Sequence, residues 1–144
     1  MKVVICGSIN FPDKIKEVEA GLKERGHEVV IPCTLKLNNI QSYEDAQKLK
    51  ESDEYIESIK KERTKKHFDE IKNGDAILVV NVEKKGIPNY IGGATLSEIM
   101  FALYFEKKIF LLNPVPTHEK LEFFREEIEG AHPVILNGNL DLVK

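Results

Sequence analysis

Asp75-Ala76-Ile77-Leu78-Val79-Val80-Asn81-Val82 is the stretch on which the fold turns. From Ala76 to Val80 it is apolar without interruption and rich in β-branched side chains, and it is strand-sized. A strand with no polar alternation is covered on both faces, which is the signature of a central parallel strand. Parallel neighbours need long crossovers, usually helical, and the chain offers them on either side. Upstream, Val3 to Cys6 is a short β-branched run leading into Gly7-Ser8. Beyond Pro12, residues Ile15, Val18 and Leu22 recur at helical spacing up to Gly26. His27 to Ile31 reads as a second strand ended by Pro32, which makes a right-handed βαβ unit.

From Ser42 to Asn73 the chain turns Glu/Lys-rich, with Tyr55, Ile59, Phe68 and Ile71 as apolar anchors. It reads as helices with a break, ended by Gly74. Downstream, Glu83 to Gly93 is a loop punctuated by Gly86, Pro88, Gly92 and Gly93. Ala94 to Glu106 carries Leu96, Ile99, Met100 and Leu103 at the spacing of a buried helix. Lys108 to Leu112 is a fourth strand, Glu119 to Ile128 a polar helix and Pro133 to Leu136 a short last strand. This alternation predicts one α/β domain over residues 1–144: a doubly wound, flavodoxin-like sheet of five parallel strands in the order 2-1-3-4-5, with helices on both faces. Ligands of such sheets bind beyond the C-terminal strand ends where the winding reverses. Here that point lies between the first and third strands and gathers Gly7, Ser8, Ile9, Asn10, Asn81 and the loop from Asn89 to Gly93.

Composition narrows the function classes. The 144 residues are 42% hydrophobic and 31% charged, as in globular proteins. A net charge of −3 gives no electrostatic footprint for a nucleic acid polymer. No apolar run approaches the ~20 residues of a membrane span, and no signal peptide opens the chain, so no membrane partner and a cytoplasmic location are expected. The basic run Lys60 to Lys66 reads as a solvated helix face before it reads as a phosphate patch. Cys6 and Cys33 fit neither a disulfide framework nor a metal spacing and are expected as buried side chains near strand ends. His27, His118 and His132 show no ligand spacing, and no metal is expected.

Gly7-Ser8 lies where a strand turns toward a helix and reads equally as a helix-capping turn or as a ligand loop. Gly92-Gly93-Ala94-Thr95-Leu96-Ser97-Glu98 is more informative, because paired glycines at a helix start let backbone approach a sugar or phosphate. Thr95 and Glu98 also satisfy the spacing of a capping box, so the segment admits a structural reading too. Glu98 shares its helix face with Thr95, Ala102 and Phe105, a small and apolar surface unlike that of a solvated glutamate. A carboxylate held there suits attack on an anomeric carbon. Tyr90 reads as a base-stacking ring or a packing plug. Asn81 reads as a ribose contact or a loop brace, and Asp75 as a cap on the strand start.

These segments together resemble one family. The Gly7-Ser8 loop, Ile71-Lys-Asn-Gly-Asp75-Ala-Ile-Leu-Val-Val80, Gly92-Gly-Ala-Thr-Leu-Ser-Glu98-Ile-Met-Phe-Ala102 and Lys107-Lys-Ile-Phe-Leu-Leu112 are similar to nucleoside 2-deoxyribosyltransferases and their hydrolytic relatives, the deoxynucleoside 5′-monophosphate N-glycosidases. The least similar stretch is Thr34 to Lys66. Residues Gly92 to Glu98 also resemble a signature of lysine-decarboxylase-like phosphoribohydrolases, shortened by one residue; those enzymes too cut N-glycosidic bonds.

The resemblance implies Glu98 as nucleophile, the first loop on the sugar or phosphate, a homodimer and no cofactor. It usually places an aspartate eight residues before the position of Asp75, where this chain has His67. Asp69 and His67 cannot both serve one pocket, because two residues along a helix turn Asp69 roughly 200° from His67 at about 100° per residue. The expected activity is therefore cleavage or exchange of the base of a nucleoside or nucleoside 5′-monophosphate, with Glu98 and His67 as catalytic residues. Gly7, Ser8, Asn10, Asn81, Tyr90, Gly92 and Gly93 are expected as substrate contacts. The alternative is a non-catalytic nucleotide-binding or sensing module of the same fold.

Overall fold

The computed structural model describes all residues from Met1 to Lys144. Its sheet has five strands, β1 (Lys2–Cys6), β2 (Glu28–Val30), β3 (Ala76–Val79), β4 (Lys108–Leu111) and β5 (Val134–Ile135), in the order β2-β1-β3-β4-β5. Every pairing is parallel; Val3 stands opposite Ala76, and Cys6 opposite Val79. All four residues of β3 are buried, as its unbroken apolar run requires of a strand covered on both faces.

Six α-helices complete the fold: α1 (Pro12–Glu24), α2 (Thr34–Leu37), α3 (Tyr43–Glu51), α4 (Lys60–Asn73), α5 (Gly93–Tyr104) and α6 (Arg125–Gly130). The pleat sorts the core into two halves, because successive side chains of a strand point to opposite faces. Val3, Ile5, Ala76 and Leu78 pack with Ile15, Val18 and Leu22 of α1, Leu35 of α2 and Ala46 of α3. Val4, Cys6, Ile77 and Val79 pack with Ile71 of α4, Ile99 and Ala102 of α5 and Ile128 of α6. The helices therefore cover both faces, and the parity of Cys6 turns it toward α4 and α5. Asp75 caps the start of β1 by accepting the Lys2 backbone N–H at 2.7 Å. No helix is long and apolar enough to cross a membrane.

Several elements differ from the sequence expectation. The four-residue α2 follows Pro32-Cys33 and was not foreseen, since so short a turn leaves no periodic signal. The break in the Glu/Lys-rich stretch falls after Glu51, and the chain resumes as a π-helical turn over Tyr55–Ile59 before α4. Wide turns of this kind re-aim side chains and are frequent at functional sites. The polar segment from Glu119 is a 3₁₀ helix to Phe124, and becomes α-helical only at Arg125. On α5 the buried face is Thr95, Ile99 and Ala102; Leu103 is 44% exposed, so the apolar spacing overstated that helix's burial.

Candidate functional site

Three elements deliver three side chains to one point. Cys6 ends β1 on the α4/α5 face, His67 lies on the buried stripe of α4, and Glu98 stands in the second turn of α5. The His67 Nε2 atom is 3.5 Å from Cys6 Sγ and 3.8 Å from Glu98 Oε2. Its Nδ1 meets Glu70 Oε2 at 3.3 Å. Glu98 makes no capping box: the N-cap of α5 is Gly92, no side chain caps the helix, and Thr95 is buried inside the first turn. Ser8 does not cap α1 either. Its hydroxyl accepts the Asn10 backbone N–H and donates to Asn10 Oδ1 at 2.9 Å.

Of these groups Ser8, His67, Thr95 and Glu98 border a cavity of about 380 Å³ at the C-terminal ends of β1 and β3. Gly7 and Ser8 form one wall, Gly92, Gly93, Ala94 and Thr95 of the α5 start another, and Tyr55, Phe68 and Tyr90 contribute aromatic surface. Gly7 has φ +147° and a Cβ there would lie 3.0 Å from the Val80 carbonyl, so only glycine lets the two strand ends approach this closely. The start of α5, whose N–H groups no side chain caps, borders this space, and a helix start is a usual place for an oxyanion or phosphate.

The lining is cationic: Lys50, Lys60, Arg63 and Lys84 stand against Glu98 as the one carboxylate. Lys60, Arg63, Thr64 and His67 recur at i, i+3, i+4 and i+7 on α4, so part of the basic run faces the cavity while Lys61, Lys65 and Lys66 are exposed. The expectation of a solvated face is thus half corrected.

Lys50 and Lys84 converge on the first loop. Both ammonium groups reach Asn10 Oδ1 and Ser8 Oγ, and Lys84 also stands 5.3 Å from the Tyr90 ring centroid. Burial, followed by the neighbouring Lys84 charge, pushes Lys50 down to about 8. Burial likewise lowers Lys84. A pair of like charges held together in this way is relieved by an anion.

The carboxylate end has the opposite character. Burial raises the Glu98 pKa, against the pull of the His67 charge and a Cys6 hydrogen bond. On His67 burial opposes the charge, but the Glu70 hydrogen bond and the Glu98 and Glu70 carboxylates outweigh it, so the imidazolium is favoured. Burial and the nearby Glu98 charge push the Cys6 thiol well up, which leaves it protonated and a poor nucleophile. Only two buried side-chain polar atoms lack a hydrogen-bond partner, Arg63 Nε and Glu98 Oε2, and both residues line this cavity. Neither a family model nor a curated protein matches the chain.

Of the residues singled out in the sequence, Gly7, Ser8, His67, Tyr90, Gly92, Gly93 and Glu98 line the cavity. Asn10 does not; it is 1% exposed and braces the two lysines, with its amide donating to the Tyr43 carbonyl. Asn81 is fully buried and outside the lining. Its amide donates to the carbonyls of Asn113 and Pro114, and its Oδ1 accepts the Asn113 N–H, so it ties the chain after β3 to the chain after β4. Asp69 is exposed, away from the cavity. Cys33, expected as buried, is only partly so and borders the cavity. Lys50 and Lys84 carried no sequence signal, the first being one lysine in a Glu/Lys-rich stretch and the second one of two adjacent lysines in the loop after the central strand.

Proposed function

We propose that this protein cleaves the N-glycosidic bond of a nucleoside 5′-monophosphate, with Glu98 as the nucleophile that takes up the sugar. The reading is carried by two buried atoms without a hydrogen-bond partner, Glu98 Oε2 and Arg63 Nε, on residues that line one cavity of about 380 Å³. In the first step a Glu98 oxygen bonds C1′ as the C1′–N bond breaks, and the bond's electron pair leaves with the base, which takes a proton from solvent. His67 has both ring nitrogens engaged beside the nucleophile. Its role in this scheme is to orient Glu98 and balance its charge, in place of protonating the base. Water then releases the sugar in hydrolysis, or a second base does so in exchange.

The phosphate is assigned to the Ser8 end, where Lys50 and Lys84 are crowded and where an anion restores their preferred charge. Tyr55, Phe68 and Tyr90 offer stacking surface for the base. The homodimer implied by the resemblance would cover Leu103 and Tyr104, which are 44% and 80% exposed at the end of α5. Its check is the mass in solution.

A panel of ribo- and deoxynucleosides and their 5′-monophosphates, with free base followed by chromatography, tests the activity. Release from a monophosphate that Glu98→Ala abolishes supports it. Tight binding without release selects the sensing module instead, a reading favoured by His67 standing where the resemblance places an acid.

A further inference from the structure

We infer that Cys6, His67 and Glu98 form a binding site for a single zinc-class divalent ion, with one coordination position open to the cavity. The three ligand atoms all lie within 4.8 Å of one another. In a tetrahedral zinc site, metal–ligand bonds of about 2.0–2.3 Å put neighbouring N, O and S ligands about 3.3–3.7 Å apart. The observed separations are 3.5 Å from His67 Nε2 to Cys6 Sγ and 3.8 Å to Glu98 Oε2.

Two further observations point to a cation and not merely to a cluster. Glu98 Oε2 is sealed from solvent and has no hydrogen-bond partner, so a ligating lone pair is unspent. Behind the imidazole, Glu70 Oε2 stands 3.3 Å from Nδ1. That contact holds the Nδ1–H, so that Nε2 is the nitrogen that can ligate once its proton is displaced, the arrangement found behind most metal-bound histidines. Linear spacing conceals such a site, because its ligands come from β1, α4 and α5 and are 61 and 31 residues apart (67 − 6 and 98 − 67).

Binding breaks the Cys6 S–H bond, sends the proton to buffer and bonds the thiolate sulfur to the ion. The His67 imidazolium gives its Nε2 proton to buffer as well, binds through the lone pair so freed and keeps its Nδ1–H on Glu70. The consequence for activity rests on the glycosidase reading: with Oε2 on the metal, the Glu98 carboxylate is no longer free to bond C1′. Zinc occupancy and sugar transfer then exclude each other.

The test uses the full chain, stripped with a chelator and titrated calorimetrically with Zn²⁺, and then with Co²⁺ while absorbance is recorded. One ion per chain is expected, with a thiolate-to-cobalt band and the intense visible bands of a tetrahedral site. Cys6→Ala removes the band, Cys33→Ala leaves it, and Glu70→Gln weakens binding by about 10- to 100-fold. No binding, or a band that survives Cys6→Ala and vanishes in Cys33→Ala, overturns the site. If Cys6→Ala does not fold, the native-chain spectrum and the Glu70→Gln shift decide it. These readouts need no turnover, so they stand even if the protein releases no base. Where base is released, Zn²⁺ is expected to suppress it and chelator to restore it; stimulation by Zn²⁺ overturns the exclusion.

Discussion

Replacing Lys50 by methionine removes one positive charge from the Ser8–Asn10 end of the cavity while keeping an unbranched stem of similar length. A hydrogen bond to a charged group contributes about 1.5–3 kcal/mol. Lys50 is only partly buried, so the lower figure applies, equal to about a tenfold loss in affinity for a nucleoside 5′-monophosphate. The parent nucleoside should lose little.

A second signature comes from the low pKa of about 8. In the free protein the protonated fraction of Lys50 falls from about nine-tenths near pH 7 to about one-tenth near pH 9, and apparent affinity falls with the competent fraction. If the neutral form still binds about tenfold more weakly, the Kd rises roughly fivefold across that range. The phosphate monoester does not titrate there, its second pKa being about 6. Since the anion favours the charged lysine, binding near pH 8 takes up protons. Calorimetry on a Glu98→Gln background, in buffers of different ionisation enthalpy, measures both effects without turnover. The reasoning is refuted if Lys50→Met weakens nucleoside and monophosphate equally, or if monophosphate affinity is flat from about pH 7 to about pH 9 in the chain that keeps Lys50.

Asn81→Ala deletes three side-chain hydrogen bonds at a fully buried position. It should cost about 2–4 kcal/mol and lower Tm by roughly 5–15 °C; an unchanged melt with a raised KM would instead assign Asn81 to the substrate. Gly7→Ala forces a side chain into φ +147° and against the Val80 carbonyl. About 1–3 kcal/mol of strain is expected, read as a lower denaturant midpoint together with weaker nucleotide binding. His67→Gln keeps a hydrogen-bonding side chain without the charge beside Glu98. Base release should slow about a hundredfold, the size of one lost electrostatic contact at the reacting group, with nucleotide affinity nearly unchanged, which a kcat-against-KM comparison separates from misfolding.

The architecture was legible because its determinants are local. Ala76 to Val80 announces a strand covered on both faces, and the helical spacing of Ile15, Val18 and Leu22 announces the crossover that makes its neighbour parallel. Strand order followed from connection rules and stands as expected. The glycine loops and Glu98 were visible because backbone approach and a carboxylate on an apolar face leave a mark in the sequence.

What stayed hidden depends on tertiary phase. Lys50 on α3 and Lys84 in the loop after β3 look like any surface lysine until folding sets both against Ser8 and Asn10. The 60, 63, 64, 67 stripe of α4 was present in the sequence, but which face of that helix meets the sheet was not. Asn81 sat at the expected strand end yet turned toward β4, because the backbone of Asn113 and Pro114 offered both carbonyls and an N–H as partners. Cys6 was rightly expected to be buried; that it meets His67 and Glu98 follows from the pleat and from two helix phases at once.

The central claim is that Glu98 takes the sugar, and covalent trapping tests it most directly. The chain is mixed with a 2′-fluoro-2′-deoxynucleoside 5′-monophosphate, quenched in acid, digested and analysed by mass spectrometry. A fluorodeoxyribose 5-phosphate adduct on the peptide containing Glu98, formed together with one equivalent of free base, is the predicted result. Base release that proceeds with no adduct and persists in Glu98→Gln would contradict the account.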